Sequence, residues 1–142
     1  MIERKCSCEM GMHRAPLERY IIESGAVNRL PELLRDYNKV YMVCDENTYR
    51  VLGERAEQIL KSVGKFSHKH ILKGDVLPDA RNIGDVLIHL NDPKADSDIF
   101  KYSPQPDFIL AVGSGVVNDV CRVVSYRLGL PYGIAGTAPS MD

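Results

Sequence analysis

An excess of charge of one sign is missing from this sequence. Its 142 residues include 18 Lys and Arg against 19 Asp and Glu, which gives a formal net charge of −1. No run of basic residues with interleaved aromatic residues occurs either. Domains that bind nucleic acids depend on such basic clusters, so we do not expect a nucleic acid as a partner.

Long hydrophobic runs are missing as well. No segment approaches the roughly 18 continuous apolar residues of a membrane-spanning helix. The first residues, MIERKCSCEM, lack the apolar core of a signal peptide. We therefore expect a cytoplasmic protein without a membrane span, in which the four cysteines stay thiols rather than forming a disulfide framework.

The pattern of the chain predicts an α/β fold that occupies residues 1–142 as one domain. Residues 91–106 are polar and contain prolines, which is typical of a long surface connection. Alternating strands and helices indicate a doubly wound, Rossmann-like, mostly parallel sheet, with the ligand at the carboxyl ends of the strands. Strand patterns lie at 19–22, 39–44, 66–72 and 108–112, and helical patterns lie at 30–35, 49–62 (with Thr48 as its cap), 79–90 and from 116 onward.

A glycine-containing loop follows the last of these strands. Gly113, Ser114 and Gly115 stand between the apolar run 108–112 and a helical pattern that ends at Gly129. Glycine allows close approach of the backbone to a ligand, and the first helical turn presents free N–H groups, so the pattern predicts binding of a dinucleotide pyrophosphate. The alternative is an ordinary strand-to-helix turn, because Asn118 replaces the last glycine of Gly-x-Gly-x-x-Gly and no P-loop lysine follows.

Polar residues are expected to meet at one edge of the sheet. Asp45, the segment 113–115 and the segment 137–142 each follow an apolar strand pattern, although they are far apart in the sequence. The carboxyl ends of parallel strands lie at the same edge. Asp119, placed in the first turn of the helix, is favourable with the helix dipole and is expected to accept a hydrogen bond from a ribose or a carboxamide.

The segment GSGVVNDVCR, followed by GLPY and TAPSMD, resembles a known group of enzymes. This is the metal-dependent polyol dehydrogenase superfamily, which includes glycerol dehydrogenases, iron-type alcohol dehydrogenases and 3-dehydroquinate synthases. Within it the sequence is most similar to the bacterial branch of the sn-glycerol-1-phosphate dehydrogenases. The stretches IIESGAVNRLPELL, VCDENTY and CSCEMGMH extend the resemblance from about residue 6 to residue 142.

The resemblance implies roles for individual residues. Asp45 matches the acidic residue on the adenosine ribose, which favours NAD and leaves NADP possible. Thr137 and Ser140 match residues on the nicotinamide side, and Asp142 matches the aspartate that approaches the substrate hydroxyls. The pyrophosphate and the nearby ribose would be held by Gly113, Ser114, Gly115, Val116, Val117, Asn118 and Asp119. Two positions depart from the superfamily pattern: Ser114 replaces a glycine, as in the glycerol-1-phosphate branch, and Arg122 replaces a lysine.

The resemblance also implies what the rest of such a protein contains. A C-terminal helical domain, expected outside this chain, holds a divalent metal (Zn or Ni) through an aspartate and two histidines. The implied activity interconverts dihydroxyacetone phosphate and sn-glycerol 1-phosphate, a small polyol phosphate, in a homo-oligomer. The alternatives are an enzyme like 3-dehydroquinate synthase or glycerol dehydrogenase, or a nucleotide-binding module without activity of its own.

Two groups of residues allow a metal or a structural interpretation. Cys6, Cys8 and His13 contribute to a zinc site or, as we favour, to a hairpin with free thiols, because Cys-x-Cys is not the usual spacing of zinc fingers. His68 and His70 alternate along a strand and so point to one face. That arrangement indicates a metal pair or, as we favour, a solvated edge or face of the sheet.

Overall fold

The computed structural model describes residues 2–9, 11–15, 17–90 and 105–138. An antiparallel hairpin of β1 (Ile2–Lys5) and β2 (Met12–Ala15) comes first. Its turn is closed by a hydrogen bond from the Cys6 N–H to the Gly11 carbonyl (3.1 Å). Cys6 and Cys8 are exposed in this turn, in agreement with the hairpin interpretation.

A parallel sheet of four strands forms the centre of the fold, in the order β4-β3-β5-β6. The strands are β3 (Val40–Asp45), β4 (Phe66–Leu72), β5 (Phe108–Gly113) and β6 (Tyr132–Gly136). The two central strands, β3 and β5, are buried almost throughout, which explains their unbroken apolar runs. The predicted strands at 39–44, 66–72 and 108–112 are confirmed to within one residue at each end.

Helices connect these strands. A short 3₁₀ helix (Ala26–Arg29) leads into α1 (Leu30–Leu33). After β3 a continuous helical segment comprises α2 (Glu46–Thr48), a π-helical turn (Tyr49–Gly53) and α3 (Glu54–Ser62). Helix α4 (Ala80–Ile88) follows β4, and α5 (Gly115–Leu128) lies between β5 and β6. None of the helices in the described part of the chain is long and apolar enough to cross a membrane.

The sheet carries a separate apolar core on each face. Alternate residues of β3 and β5, such as Met42 and Leu110, pack with α1 and α3. Their neighbours, such as Val43 and Ile109, pack with α4 and α5, where Cys121 is fully buried as a small core residue. Helices on both faces of a parallel sheet define the doubly wound fold that the sequence predicted.

The predicted strand at 19–22 is wrong, because these residues belong to neither sheet. The Arg19 guanidinium donates to the Leu33 carbonyl (2.7 Å) and pairs with Asp36, which ties the segment to the end of α1. The apolar residues of the segment do not form a core: Ile22 is 91% exposed. Most of the predicted connection at 91–106 lies outside the described residues.

Candidate functional site

The strand order changes direction between β3 and β5, and this place is the topological switch point of the sheet. From β3 the chain continues to β4 on one side, whereas β5 and β6 lie on the other side. Ligands of doubly wound sheets bind outside the carboxyl ends of the strands at such a point. Asp45 is the last residue of β3 and Gly113 is the last residue of β5, so these two residues flank the switch point.

The second polar loop meets the glycine loop directly. Gly113 pairs with Gly136 in the parallel register of β5 and β6. The N–H of Thr137, the next residue, donates to the Gly113 carbonyl at 3.0 Å. The predicted convergence is therefore confirmed for Asp45, the glycine loop and Thr137. Ser140 and Asp142 lie outside the described residues.

The two glycines of the loop have different surroundings. A Cβ added at Gly113 would lie 2.8 Å from Val117 Cγ2 and 2.9 Å from Val117 Cβ, so the packing of α5 on β5 requires a glycine there. A Cβ added at Gly115 would meet nothing within 4 Å. Packing within the described part of the chain therefore gives no reason for a glycine at 115, and the space in front of it is open for a ligand.

The beginning of α5 supplies backbone donors to that space. The Asn118 N–H donates to the Ser114 carbonyl (3.0 Å), which is the first helical hydrogen bond of α5. The N–H groups of Gly115, Val116 and Val117 come before it in the chain and have no partner within the helix. Ser114 is the N-cap residue, and its side chain does not cap the helix. The Val117 side chain is buried in the core beneath the loop, which leaves its N–H as the group that can meet a ligand.

The predicted position of Asp119 in the first turn is wrong. Helix α5 begins at Gly115, one residue before the first apolar position of the pattern, so Asp119 is the fifth helical residue and the first turn contains no acidic residue. Its carboxylate lies 3.6 Å from the Arg122 guanidinium, on the exposed side of the helix. Stabilisation of the helix dipole by Asp119 is correspondingly weak.

Asp45 has a structural role beside its predicted one. Its Oδ1 accepts hydrogen bonds from the N–H groups of Asn47 and Thr48, both at 2.8 Å, and the Thr48 hydroxyl accepts from the Asp45 N–H. This capping box makes Asp45, and not Thr48, the cap of the helix, because helical geometry already begins at Glu46. Neither bond uses Oδ2, which leaves that oxygen available to a ligand.

A cavity of about 490 Å³ opens between the carboxyl ends of β3 and β4. Its polar wall contains three acidic residues, Asp45, Glu46 and Asp75. Carboxylates accept hydrogen bonds from hydroxyl groups and repel phosphates, so the cavity suits a sugar better than an anion. Asn47, Leu72, Gly74, Val76 and Leu77 complete the lining. The glycine loop is not part of this lining, so the cavity covers the Asp45 side of the edge only.

The histidines of β4 lie under a helix. The favoured interpretation is correct in that β4 is an edge strand of the sheet. It is wrong in that the histidine face is solvated, because His68 Nε2 bonds to the His89 carbonyl (2.9 Å) and His70 Nε2 bonds to Asp85 Oδ2 (2.7 Å). Burial lowers the pKa of His70, against the opposing effect of Asp85. Sequence reasoning missed Asp85 and His89. Their i, i+4 spacing was a signal for a shared helix face, but it did not show which strand lies beneath.

Comparison with known proteins decides the family. A sequence model described as iron-containing alcohol dehydrogenase matches residues 21–142. The chain belongs to this family. The match includes every residue assigned above to the carboxyl edge of the sheet.

The relatives of this chain include enzymes of two different names. The glycerol-1-phosphate dehydrogenase [NAD(P)+] of Halalkalibacterium halodurans is 33% identical over 95% of this chain. The 3-dehydroquinate synthase of Staphylococcus carnosus is 29% identical over 74% of the chain, which spans 28% of that protein. The chain spans about a third of the length of the glycerol-1-phosphate dehydrogenase (33%).

A solved structure supports the fold. Glycerol dehydrogenase from Schizosaccharomyces pombe matches 79% of this chain and 26% of its own chain, with a TM-score of 0.59 and 17% identity. At this identity the likeness concerns the fold alone. It agrees with the Rossmann-like, doubly wound sheet derived from the strand order.

Proposed function

We propose that this chain is the dinucleotide-binding domain of a metal-dependent dehydrogenase that interconverts dihydroxyacetone phosphate and sn-glycerol 1-phosphate with NAD(P). The observation that carries the proposal is the meeting of Asp45, the glycine loop and Thr137 at the switch point of the sheet. The choice of substrate rests on the similarity over 95% of the chain to a glycerol-1-phosphate dehydrogenase.

The cofactor pyrophosphate is placed at the beginning of α5. The N–H groups of Gly115, Val116 and Val117 and the positive end of the helix dipole attract an anion. The open space at Gly115 lets the phosphates approach the backbone. The Ser114 hydroxyl, which is not used for capping, and the half-buried Asn118 add polar contacts to the phosphates, and the Asp119 carboxylate accepts from a hydroxyl of the adjoining ribose.

The adenosine ribose is placed in the cavity at the end of β3. Asp45 Oδ2 accepts from the 2′-hydroxyl, while Oδ1 stays in the capping box. Glu46 and Asp75 add negative charge to the same cavity. A 2′-phosphate is repelled there, so NAD is preferred to NADP.

The nicotinamide and the substrate are placed beyond β6. Thr137, whose N–H donates to the Gly113 carbonyl, is assigned to the nicotinamide side on the resemblance of the sequence. Ser140 is assigned to the same side and Asp142 to the substrate hydroxyls on the same resemblance, and both lie outside the described residues. The nicotinamide supplies hydride chemistry when the cofactor is bound, and this chain supplies its orientation.

The catalytic metal does not fit the residues of this edge. In the described part of the chain, the side chains that could hold a metal ion together are His70, Asp85 and His89, which meet between β4 and α4 and not at the carboxyl ends of the strands. A Lewis acid that polarises the substrate carbonyl is therefore assigned to a further domain of the protein.

The test is an activity assay on the protein that carries this chain together with the family's metal-binding domain. We expect oxidation of NADH that depends on dihydroxyacetone phosphate and on a divalent metal. The similarity to a 3-dehydroquinate synthase makes that activity the alternative. A protein inert on dihydroxyacetone phosphate, yet active on the substrate of 3-dehydroquinate synthase, would move the assignment to that reaction.

A further inference from the structure

Three side chains of types that bind metals meet on the face of β4 that α4 covers. His70 comes from β4, Asp85 comes from α4, and His89 caps the end of that helix. One ligand atom from each residue lies within 4.8 Å of those of the other two. All three residues are half-buried, so the group is held by packing but remains accessible to an ion.

Secondary structure fixes the relative positions of the three residues. Asp85 and His89 are four residues apart, which places them on one face of the helix. Two hydrogen bonds connect that face to the strand: His70 Nε2 with Asp85 Oδ2 at 2.7 Å, and His68 Nε2 with the His89 carbonyl at 2.9 Å. The ligand set is therefore assembled before any ion binds.

Hydrogen bonding determines which nitrogen of His89 is free for a metal. Its Nδ1 lies 2.8 Å from the Asp85 carbonyl, and a carbonyl can only accept, so Nδ1 carries the proton. The lone pair then lies on Nε2. Histidine ligands of metals characteristically donate their other ring nitrogen in this way, to a carbonyl or a carboxylate.

The neighbouring His68 is excluded as a ligand by the same reasoning. Its Nε2 donates to the His89 carbonyl, and its Nδ1 lies 2.9 Å from the Ser67 hydroxyl, which donates to it. Both ring nitrogens are engaged, so His68 positions His89 and does not bind the ion.

A simple ion pair between His70 and Asp85 accounts for only part of the geometry. The His89 ring is stacked on the His70 ring, with centroids 4.3 Å apart and an angle of 19° between the planes. The second carboxylate oxygen of Asp85, Oδ1, lies 3.4 Å from His89 Nδ1. The carboxylate thus approaches a nitrogen of each of the two imidazoles, and two imidazoles with one carboxylate form the donor set of many zinc sites.

We propose that His70, Asp85 and His89 bind one divalent transition-metal ion, with Zn²⁺ the best match, at a site that fastens α4 to the edge strand β4. Two imidazoles and one carboxylate suit Zn²⁺, and a water completes the four ligands on the exposed side. A carboxylate oxygen accepts, so His70 Nε2 carries a proton in the ion-free chain, and binding of the ion displaces this proton. The proposal uses none of the residues at the carboxyl edge and does not depend on the proposed function.

The test is a calorimetric titration of the chain with Zn²⁺ alone, followed by Co²⁺ absorption spectra. We expect one ion per chain, bound with micromolar affinity or better, and a rise in the melting temperature. Asp85→Asn and His89→Gln should each weaken binding by about tenfold or more. Asp79→Asn is the matched control on the same helix, because asparagine keeps the N-cap bond to the Asn82 N–H.

A second control separates this site from the N-terminal thiols. The double variant Cys6→Ser/Cys8→Ser should bind Zn²⁺ as the unmodified chain does, and the Co²⁺ spectrum should lack the thiolate charge-transfer band. Circular dichroism of each variant shows that the fold persists. Should Asp85→Asn fail to fold, His89→Gln carries the test. Absence of Zn²⁺ binding, equal binding by the folded Asp85 or His89 variant, or loss of binding in the cysteine variant would overturn the proposal.

Discussion

At the scale of single residues, the two glycines of the loop have different reasons to be glycine, one structural and one functional. Gly113 is required by the packing of Val117, whereas a Cβ at Gly115 would meet nothing within 4 Å among the described residues. The sequence alone presents both as members of one motif. The difference depends on how α5 packs against the end of β5, because the side chain that excludes a Cβ at position 113 is that of Val117, four residues later.

Replacement of Gly113 should therefore affect stability. We expect Gly113→Ala to lower the free energy of unfolding by about 1–3 kcal/mol, because overpacking forces Val117 and α5 to shift. Gly115→Ala is the control and should change stability by less than about 0.5 kcal/mol. Urea denaturation followed by circular dichroism measures both values. Equal stability of the two variants would show that the close contact at Val117 is unimportant.

Asp45 caps a helix and is proposed to contact the ribose, and one substitution tests the ribose contact while keeping the cap. An asparagine at this position would keep a side-chain oxygen for the N–H groups of Asn47 and Thr48, so Asp45→Asn should leave stability nearly unchanged. The substitution removes the negative charge, so the preference for NAD over NADP should narrow. Binding constants for both cofactors test this. Tighter binding of NADP than of NAD by the unmodified chain would contradict the assignment.

At the scale of elements, the sequence predicts best what depends on local pattern and burial. The buried strands β3 and β5 agree with their unbroken apolar runs. Helices α4 and α5 agree with their apolar periodicity, and α5 ends at the predicted Gly129. The segment 19–22 has strand-like residues but pairs with no strand among the described residues, which no local pattern reveals. The His70, Asp85 and His89 group was out of reach for the same reason, because it depends on how α4 lies on β4.

Helix α3 is joined to β4 by a charge network around the buried Glu57, which offers a test of element packing. Glu57, 7% exposed, accepts hydrogen bonds from Lys61 (2.6 Å), Lys69 (2.6 Å) and the Tyr49 hydroxyl (2.8 Å). Burial opposes the charge of Glu57, but the bonds from Lys61, Lys69 and Tyr49 outweigh it and lower its pKa from 4.5 to about 2. The carboxylate is therefore more favourable in the folded chain than in the unfolded one.

Glu57→Gln should lower the free energy of unfolding by about 2 kcal/mol at pH 7. Because the pKa of Glu57 is lower in the folded chain, its carboxylate stabilises the fold fully above the unfolded pKa of 4.5. This stabilisation is lost as the pH falls through the folded pKa of about 2. The difference between the variant and the unmodified chain should accordingly shrink over that range. Urea denaturation across this pH range checks the trend, with Glu54→Gln on the exposed side of the same helix as control. A difference that is independent of pH would contradict the network.

At the scale of the whole molecule, the chain is interpreted as one part of a two-part active site. It spans about a third (33%) of the length of the glycerol-1-phosphate dehydrogenase it resembles. Hydride transfer requires a polarised carbonyl held near the nicotinamide. We therefore expect the 142-residue chain to show no activity on glycerol 1-phosphate, glycerol or related polyols with any added divalent metal. Turnover by the purified chain would show that the active site is misplaced.

The central claim is that the glycine loop at the switch point binds a dinucleotide. Calorimetric titration of NADH into the unmodified chain, Gly115→Val and Gly84→Val tests it most directly. Gly84 is a matched control, since it also lies in a helix and a Cβ there meets nothing within 4 Å. We predict weak binding by the unmodified chain and by Gly84→Val, and at least a roughly tenfold loss for Gly115→Val, about 1.4 kcal/mol. Equal affinity in all three proteins, or no binding by the unmodified chain, would contradict the claim.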